Sequence, residues 1–258
     1  MLTKNKTKYL VGDIGNTFTK LSLLNQNYKI IKSFNIKTEK LNNRKINADF
    51  FKKILKRQVN KKIIFSSVVP KTYKNIKSLL SKKNYISYEI KKLKIKKLIK
   101  IKVKNTKQVG SDRIANAIGS YYKYKKNCIV IDFGTATTFD IVKKPGIYDG
   151  GVIAPGINLS MINLNKYTAL LPLFNLKAGI KSYGKNTKDA LNAGFIWGYQ
   201  GLINNIIKKI SLTSKTNYKI ILTGGYANHF KKYINNKAKV DQNITIEGII
   251  KIYKELLK

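Results

Sequence analysis

Three acids in this chain stand where a turn or a helix begins, in Asp13-Ile-Gly-Asn-Thr-Phe-Thr-Lys20, Gly110-Ser-Asp-Arg113 and Asp132-Phe-Gly-Thr-Ala136. In the first and third, an apolar run reaches the acid, turns through Gly15 or Gly134 and returns rich in Thr and Phe. That pattern predicts a β-hairpin. Gly and small hydroxyl residues at such a turn let backbone N–H groups approach an anion closely. An acid ending the first strand can hold a cation, or its water shell, beside that anion. Each hairpin therefore suits a nucleotide phosphate with its metal. The middle acid differs. Asp112 follows Gly110 and precedes Arg113 at the start of a helical pattern with Ile114, Ala117 and Ile118 inward. Ser111 or Asp112 serves there as N-cap, and Asp112 also presents a base beside a cationic fork.

The two hairpin motifs lie 119 residues apart, with the acid, the Gly and a final Thr coinciding. This predicts a duplicated domain whose two hairpins face one cleft. The flanking elements fit. Tyr9–Asp13, Thr17–Leu24 and Tyr28–Ile36 read as a three-stranded meander, and Asn47 or Asp49 as the cap of a helix running to Arg57. Lys62–Val69 is an apolar run of the buried parallel kind, Pro70 opens a helix, and Tyr85–Ile90 reads as another strand. This is the element order of a ribonuclease-H-like half. Lys91–Lys104 alternates Lys with apolar residues and predicts a basic amphipathic strand pair.

Beyond the central hairpin, helices are predicted from Gly156 and, over a long stretch, from Gly184 to Ile210. In the second, Ala190, Ala193, Gly194, Gly198 and Gly201 predict close helix packing, within the domain or across a dimer. Lys219–Thr223 and Ala238–Val240 read as strands and Ile246–Leu257 as the final helix, while His229 reads as a surface or packing residue.

A length of 258 residues suits two domains, and no run approaches the roughly 18–20 apolar residues of a membrane span. No signal-type core precedes Asp13, so a soluble, cytoplasmic protein without a membrane partner is expected. Cys128 is the only cysteine and reads as a core residue. The balance of 52 basic and 12 acidic residues gives +40. Only Arg44, Arg57 and Arg113 are arginines, whereas readers of base edges use the arginine fork heavily. Abundant Lys, Asn and Ile with scarce Pro fit a biased codon usage instead. No specific nucleic-acid partner is expected, although the charge favours nonspecific adhesion to polyanions and attracts anionic substrates.

Taken together, these residues resemble the type III pantothenate kinases of the actin, sugar-kinase and heat-shock-chaperone ATPase superfamily. The resemblance rests on Asp13–Thr17, Gly110–Arg113, Asp132–Ala136, Gly151–Gly156, Gly184–Thr187 and Thr223–Gly225, in the family's order over nearly the whole chain. It implies an α/β fold of two ribonuclease-H-like domains, over 1–112 and 113–258, around a central nucleotide cleft. It implies a homodimer that phosphorylates pantothenate with ATP, the first step towards coenzyme A. Asp13, Ile14, Gly15, Asn16, Thr17, Phe18, Thr19, Lys20 and Thr135 would then bind ATP, with Mg2+. Gly110, Ser111, Asp112, Arg113 and Thr187 would bind pantothenate, with Asp112 as proton acceptor. Asp132 would hold a monovalent cation, K+ or NH4+. One position departs from the pattern, Val103 standing where the family often has an aromatic residue. Two other readings stand beside this one: another small-molecule kinase of the same fold, and a non-catalytic regulatory relative.

Overall fold

The structure is a computed structural model that describes residues 7–55, 60–177, 179–180, 182–234 and 237–258. In chain order its elements are β1 (Thr7–Ile14), β2 (Phe18–Asn25), β3 (Ile30–Lys37), α1 (Arg44–Leu55), β4 (Lys62–Ser67), α2 (Pro70–Ser81), β5 (Ile86–Glu89), β6 (Lys100–Ile101) and α3 (Ser111–Tyr124). There follow β7 (Cys128–Phe133), β8 (Ala136–Lys143), β9 (Ile147–Pro155), α4 (Ile157–Lys166), α5 (Thr187–Ser214), β10 (Lys219–Gly224), α6 (Ala227–Phe230), β11 (Ala238–Val240) and α7 (Ile244–Leu256). The described chain divides into two compact units. The first holds residues up to Tyr124, Gly146–Tyr148 and Asn243–Lys258; the second holds Lys125–Pro145 and Asp149–Gln242. The division expected between residues 112 and 113 falls in the first turn of α3, all of which belongs to the first unit.

The first unit is built on a sheet of order β3-β2-β1-β4-β5. β1 pairs antiparallel with β2, setting Asp13 opposite Lys20, and parallel with β4, setting Asp13 beside Ser66. Ile63, Ile64 and Phe65 of β4 are buried, as a parallel interior strand requires. Leu10, Ile14, Leu21, Phe51, Ile76 and Leu80 complete this core. Pro70 occupies the first turn of α2, where its missing N–H costs nothing. Helices α3 and α7 cross closely: a Cβ on Gly119 would run into the Ile244 carbonyl, and one on Gly248 into the Ala115 carbonyl.

Two expectations change here. Helix α1 begins at Arg44 because the Asn43 side chain accepts the N–H groups of Lys45 at 3.0 Å and Ile46 at 3.1 Å. Asn47 is instead buried and donates to the Leu41 carbonyl at 3.1 Å. The expected end at Arg57 lies outside the described residues. Lys91–Lys104 is not a strand pair. It forms two single 3-10 turns, Ile90–Lys92 and Ile95–Lys97, and the short β6, which pairs in parallel with Ile147 and Tyr148. The buried positions Ile95, Leu98 and Ile99 follow turn spacing, which overrides the local alternation.

The second unit repeats the plan with the order β11-β10-β7-β8-β9. β7 pairs antiparallel with β8 and parallel with β10, which sets Asp132 beside Thr223. Buried Cys128 opens β7, and burial pushes its thiol up to about 11. Ile196, Tyr199, Ile203, Ile207 and Ile210 form the buried stripe of α5. Gly194, Gly198 and Gly201 are not part of it: a Cβ on any of them meets nothing within 4 Å, so among the described residues they mediate no close packing. His229 packs against the rings of Tyr226 and Phe230. Among the described residues no helix is long and apolar enough to cross a membrane.

Candidate active site

At the first hairpin, Thr38 buckles the turn. Its hydroxyl donates to the Gly15 carbonyl at 2.7 Å and its N–H to the Thr17 carbonyl at 2.9 Å, while Gly15 N–H donates to Phe18 O at 3.1 Å. The turn therefore turns Asn16, Thr17 and Phe18 outward, with Phe18 54% exposed. Ile14 and Thr19 point into the core, so the side chain of Ile14 packs rather than lines a site. Lys20 is half-buried and donates to Asn243 Oδ1 at 2.8 Å.

Asp13 has one oxygen, Oδ1, buried without a hydrogen-bond partner. Burial, and then the charge of Asp112, push its carboxyl up to about 7, against the pull of Ser66 and Lys20. Asp13 and Asp112 are thus electrostatic neighbours. Asp112 sits in the first turn of α3, where its Oδ1 accepts the Arg113 N–H at 2.8 Å. Burial raises its pKa, opposed by the Arg113 N–H, the Arg113 charge and Lys91. Asp112 Oδ1 occupies the space beside Gly110, and a Cβ there would displace it. Ser111 is buried and donates to Glu89 Oε1, and the Arg113 guanidinium lies 5.8 Å from the Tyr148 ring centre. Val103 is half-buried in a bend between β6 and α3.

At the second hairpin, Gly134 N–H donates to Ala136 O at 3.1 Å, and Gly134 and Thr135 are exposed. Gly224, at φ +84°, closes on the acid from the neighbouring strand. A Cβ there would lie 2.6 Å from both Asp132 Oδ1 and the Phe133 carbonyl. A Cβ on Gly156, at the start of α4, would strike the Thr135 carbonyl. Glycine backbone thus surrounds Asp132 and Thr135. Thr187 is the first residue of α5, capped by Asn186, whose Oδ1 accepts the Asp189 N–H at 3.0 Å. The structure groups Thr187 with Pro155, Ser160, Gly194 and Gly198 on an apolar groove of about 640 Å3, not with Asp132. Among the described residues, no group of three or more His, Cys, Asp or Glu side chains is placed to hold a metal.

The predicted residues therefore fall in both units, Asp13, Lys20, Asp112 and Arg113 in the first, and Asp132 and Thr135 in the second, with Thr187 on a separate groove of the second. Sequence reasoning missed Thr38, Ser66 and Glu89. Thr38 and Ser66 belong to no motif. Glu89 carried a usable signal, being an acid in a strand of a chain with only 12 acids. The chemistry on offer is that of phosphoryl transfer: a buried carboxylate next to an arginine, and two glycine turns whose tips, Asn16–Phe18 and Gly134–Thr135, are exposed.

The fold is that of the actin-like and sugar-kinase ATPases, with two ribonuclease-H-like domains. A Campylobacter jejuni protein assigned to the Baf family of transcriptional activators matches with TM-score 0.60 at 23% identity, over 95% of this chain and 98% of that one. A Cytophaga hutchinsonii protein assigned as a sugar kinase matches with TM-score 0.52 at 12% identity, over 95% and 100%. The family model described as type III pantothenate kinase matches residues 9–209. A type III pantothenate kinase of Pelagibacter ubique is 46% identical over 243 residues, covering 94% of this chain and 97% of the relative. The chain belongs to the type III pantothenate kinase family.

Proposed function

We propose that this kinase transfers the γ-phosphoryl group of ATP to the primary hydroxyl of pantothenate, giving 4'-phosphopantothenate in the first step towards coenzyme A. The observation that carries the reading is the 46% identity over 94% of the chain to a relative of that name. The Gly110–Arg113 motif at the head of α3 supports it. In this reading the backbone of Gly15–Phe18, with Lys20, receives the ATP phosphates, Asp13 faces their metal, and Ile14 and Thr19 shape the turn from the core. Thr135 also contacts ATP. Gly110, Ser111, Arg113 and Thr187 bind pantothenate. Asp112 accepts the proton of the primary hydroxyl as its oxygen bonds to phosphorus, and ADP leaves. Burial, which raises the pKa of Asp112, makes it a better proton acceptor than an exposed aspartate. Arg113 supplies positive charge to the pantothenate carboxylate or to the transferring group.

Two ions fit the residues present. The orphaned Oδ1 of Asp13 is an open acceptor for the water shell of magnesium carried on ATP. Asp132 Oδ1 and the Phe133 carbonyl flank a space that a Gly224 Cβ would fill, and these oxygens suit K+ or NH4+. Such ions supply charge neutralisation for the phosphates. The reading also takes the protein to be a cytoplasmic homodimer. Exposed Trp197 and Leu170, and the open face at Gly194, Gly198 and Gly201, support a partner surface on the second unit.

The test is a coupled ATP-consumption assay with pantothenate, magnesium and potassium, repeated with sodium for potassium. Turnover that needs both pantothenate and potassium is expected. Turnover indifferent to potassium would keep the kinase and remove the Asp132 cation site. A folded protein without pantothenate-dependent turnover would sink the substrate assignment.

A further inference from the structure

We propose that Glu89 is a positioning residue for Asp112, acting through Ser111 and Lys91; this rests on the reading of Asp112 as proton acceptor. Glu89 ends β5 and spends each carboxylate oxygen on a different segment. Oε1 accepts the hydroxyl of Ser111, and Oε2 accepts the backbone N–H of Lys91 at 2.9 Å. Hydrogen bonds to a carboxylate are roughly twice as strong as neutral ones. Lys91 is held a second time, its ammonium donating to the Lys107 carbonyl at 2.7 Å. One side chain thus ties together β5, the segment leading to β6 and the head of α3.

The tie ends one residue from the reactive group. Ser111 is 1% exposed, so without Glu89 its hydroxyl would be buried unsatisfied. Asp112 has its Oδ1 on the Arg113 N–H, in the space that a Cβ on Gly110 would need. The charged groups facing Asp112 are Asp13, Arg113 and Lys91, and Glu89 fixes the backbone of the last. Burial raises the pKa of Glu89, while the bonds from Ser111 and Lys91 hold it down. Glu89 contacts no reacting atom in this scheme. Its work is to keep the Ser111–Asp112 step from turning, and a misplacement of about 1 Å at a reacting group can cost about 10²-fold.

The test combines Glu89→Ala, Ser111→Ala and Asp112→Asn, singly and as the Glu89→Ala/Asp112→Asn double variant. Steady-state rates are read beside thermal melting. Glu89→Ala should lower kcat about 10- to 100-fold and leave the KM for ATP within about twofold, with a smaller fall in kcat for Ser111→Ala. In the Asp112→Asn background, Glu89→Ala should change the residual rate by less than about twofold, because a residue that acts through Asp112 has nothing left to position. Full multiplication of the two losses, or wild-type kcat in Glu89→Ala, overturns the proposal. If Glu89→Ala does not fold, Ser111→Ala decides, and wild-type kcat there overturns it. Wild-type turnover in Asp112→Asn alone instead removes the reading of Asp112 on which the proposal stands.

Discussion

The two hairpins share a backbone plan and differ in what surrounds the acid. In each, the acid is the penultimate residue of the central strand and has a hydroxyl residue beside it on the parallel neighbour, Ser66 for Asp13 and Thr223 for Asp132. The next register position then diverges. Ile14 faces Ser67, whereas Phe133 faces Gly224 at positive φ. Around Asp132, backbone crowds in until a Cβ no longer fits. Around Asp13 the neighbour is a second carboxylate, and one oxygen is left without a partner. Both hairpins keep the acid-glycine turn, while the surroundings outside the turn give Asp13 a second carboxylate as neighbour and Asp132 a niche lined by backbone.

The sharpest test of that contrast removes the neighbour. Asp112→Asn should cost about 10²–10⁴-fold in kcat while ATP still binds, measured by steady-state kinetics and calorimetry. It should also lower the pKa of Asp13 part of the way, because burial still raises it while the second cause, the charge of Asp112, is gone. Near-normal turnover in this variant would take Asp112 out of the chemistry.

Next in size is a stability effect confined to the first hairpin. The Asp13 carboxyl is raised from 3.8 to about 7, so the folded state holds its proton more tightly than the unfolded chain. Its contribution is therefore lost as pH rises from about 4 to about 7, by an amount on the order of 4 kcal/mol. Asp13→Asn mimics the protonated form. It should raise the melting temperature of the ligand-free protein at pH 8, with little change below pH 4, while removing turnover. A variant no more stable than wild type at pH 8 would mean that Asp13 is not strained by its surroundings.

The smallest effect is expected from the second hairpin's close packing. Gly224→Ala should cost about 1–3 kcal/mol in urea unfolding, from positive φ and overpacking against Asp132. Ser67→Ala at the matching position of the first unit should cost less than Gly224→Ala. Equal losses would erase the difference between the two niches.

Much of the fold was legible because the signals were local. Asp-x-Gly marked both hairpins, Pro70 marked the start of α2, and the apolar runs Ile63–Phe65 and Ile220–Leu222 marked parallel interior strands. The reading failed where distant contacts outvoted a local pattern. The Lys-apolar alternation after Ile90 suggested strands, but burying Ile95, Leu98 and Ile99 demanded turns. The glycines of α5 suggested close packing within the domain or across a dimer; within the described residues it is Gly119 and Gly248, each an isolated glycine in sequence, that make a tight helix crossing.

The sequence by itself determined the repeated acid-glycine turn, the helix head at Gly110–Arg113 and the family to which the chain belongs. Each is a short-range pattern whose chemistry depends on residues within a few positions. Tertiary structure alone decided the state of the acids. It brought Asp112 near Asp13 across 99 residues, left an Asp13 oxygen without a partner, and tied Glu89 to Ser111 across 22. A pKa and a hydrogen bond depend on distance and dielectric in space, and residue order does not contain these until the chain has folded.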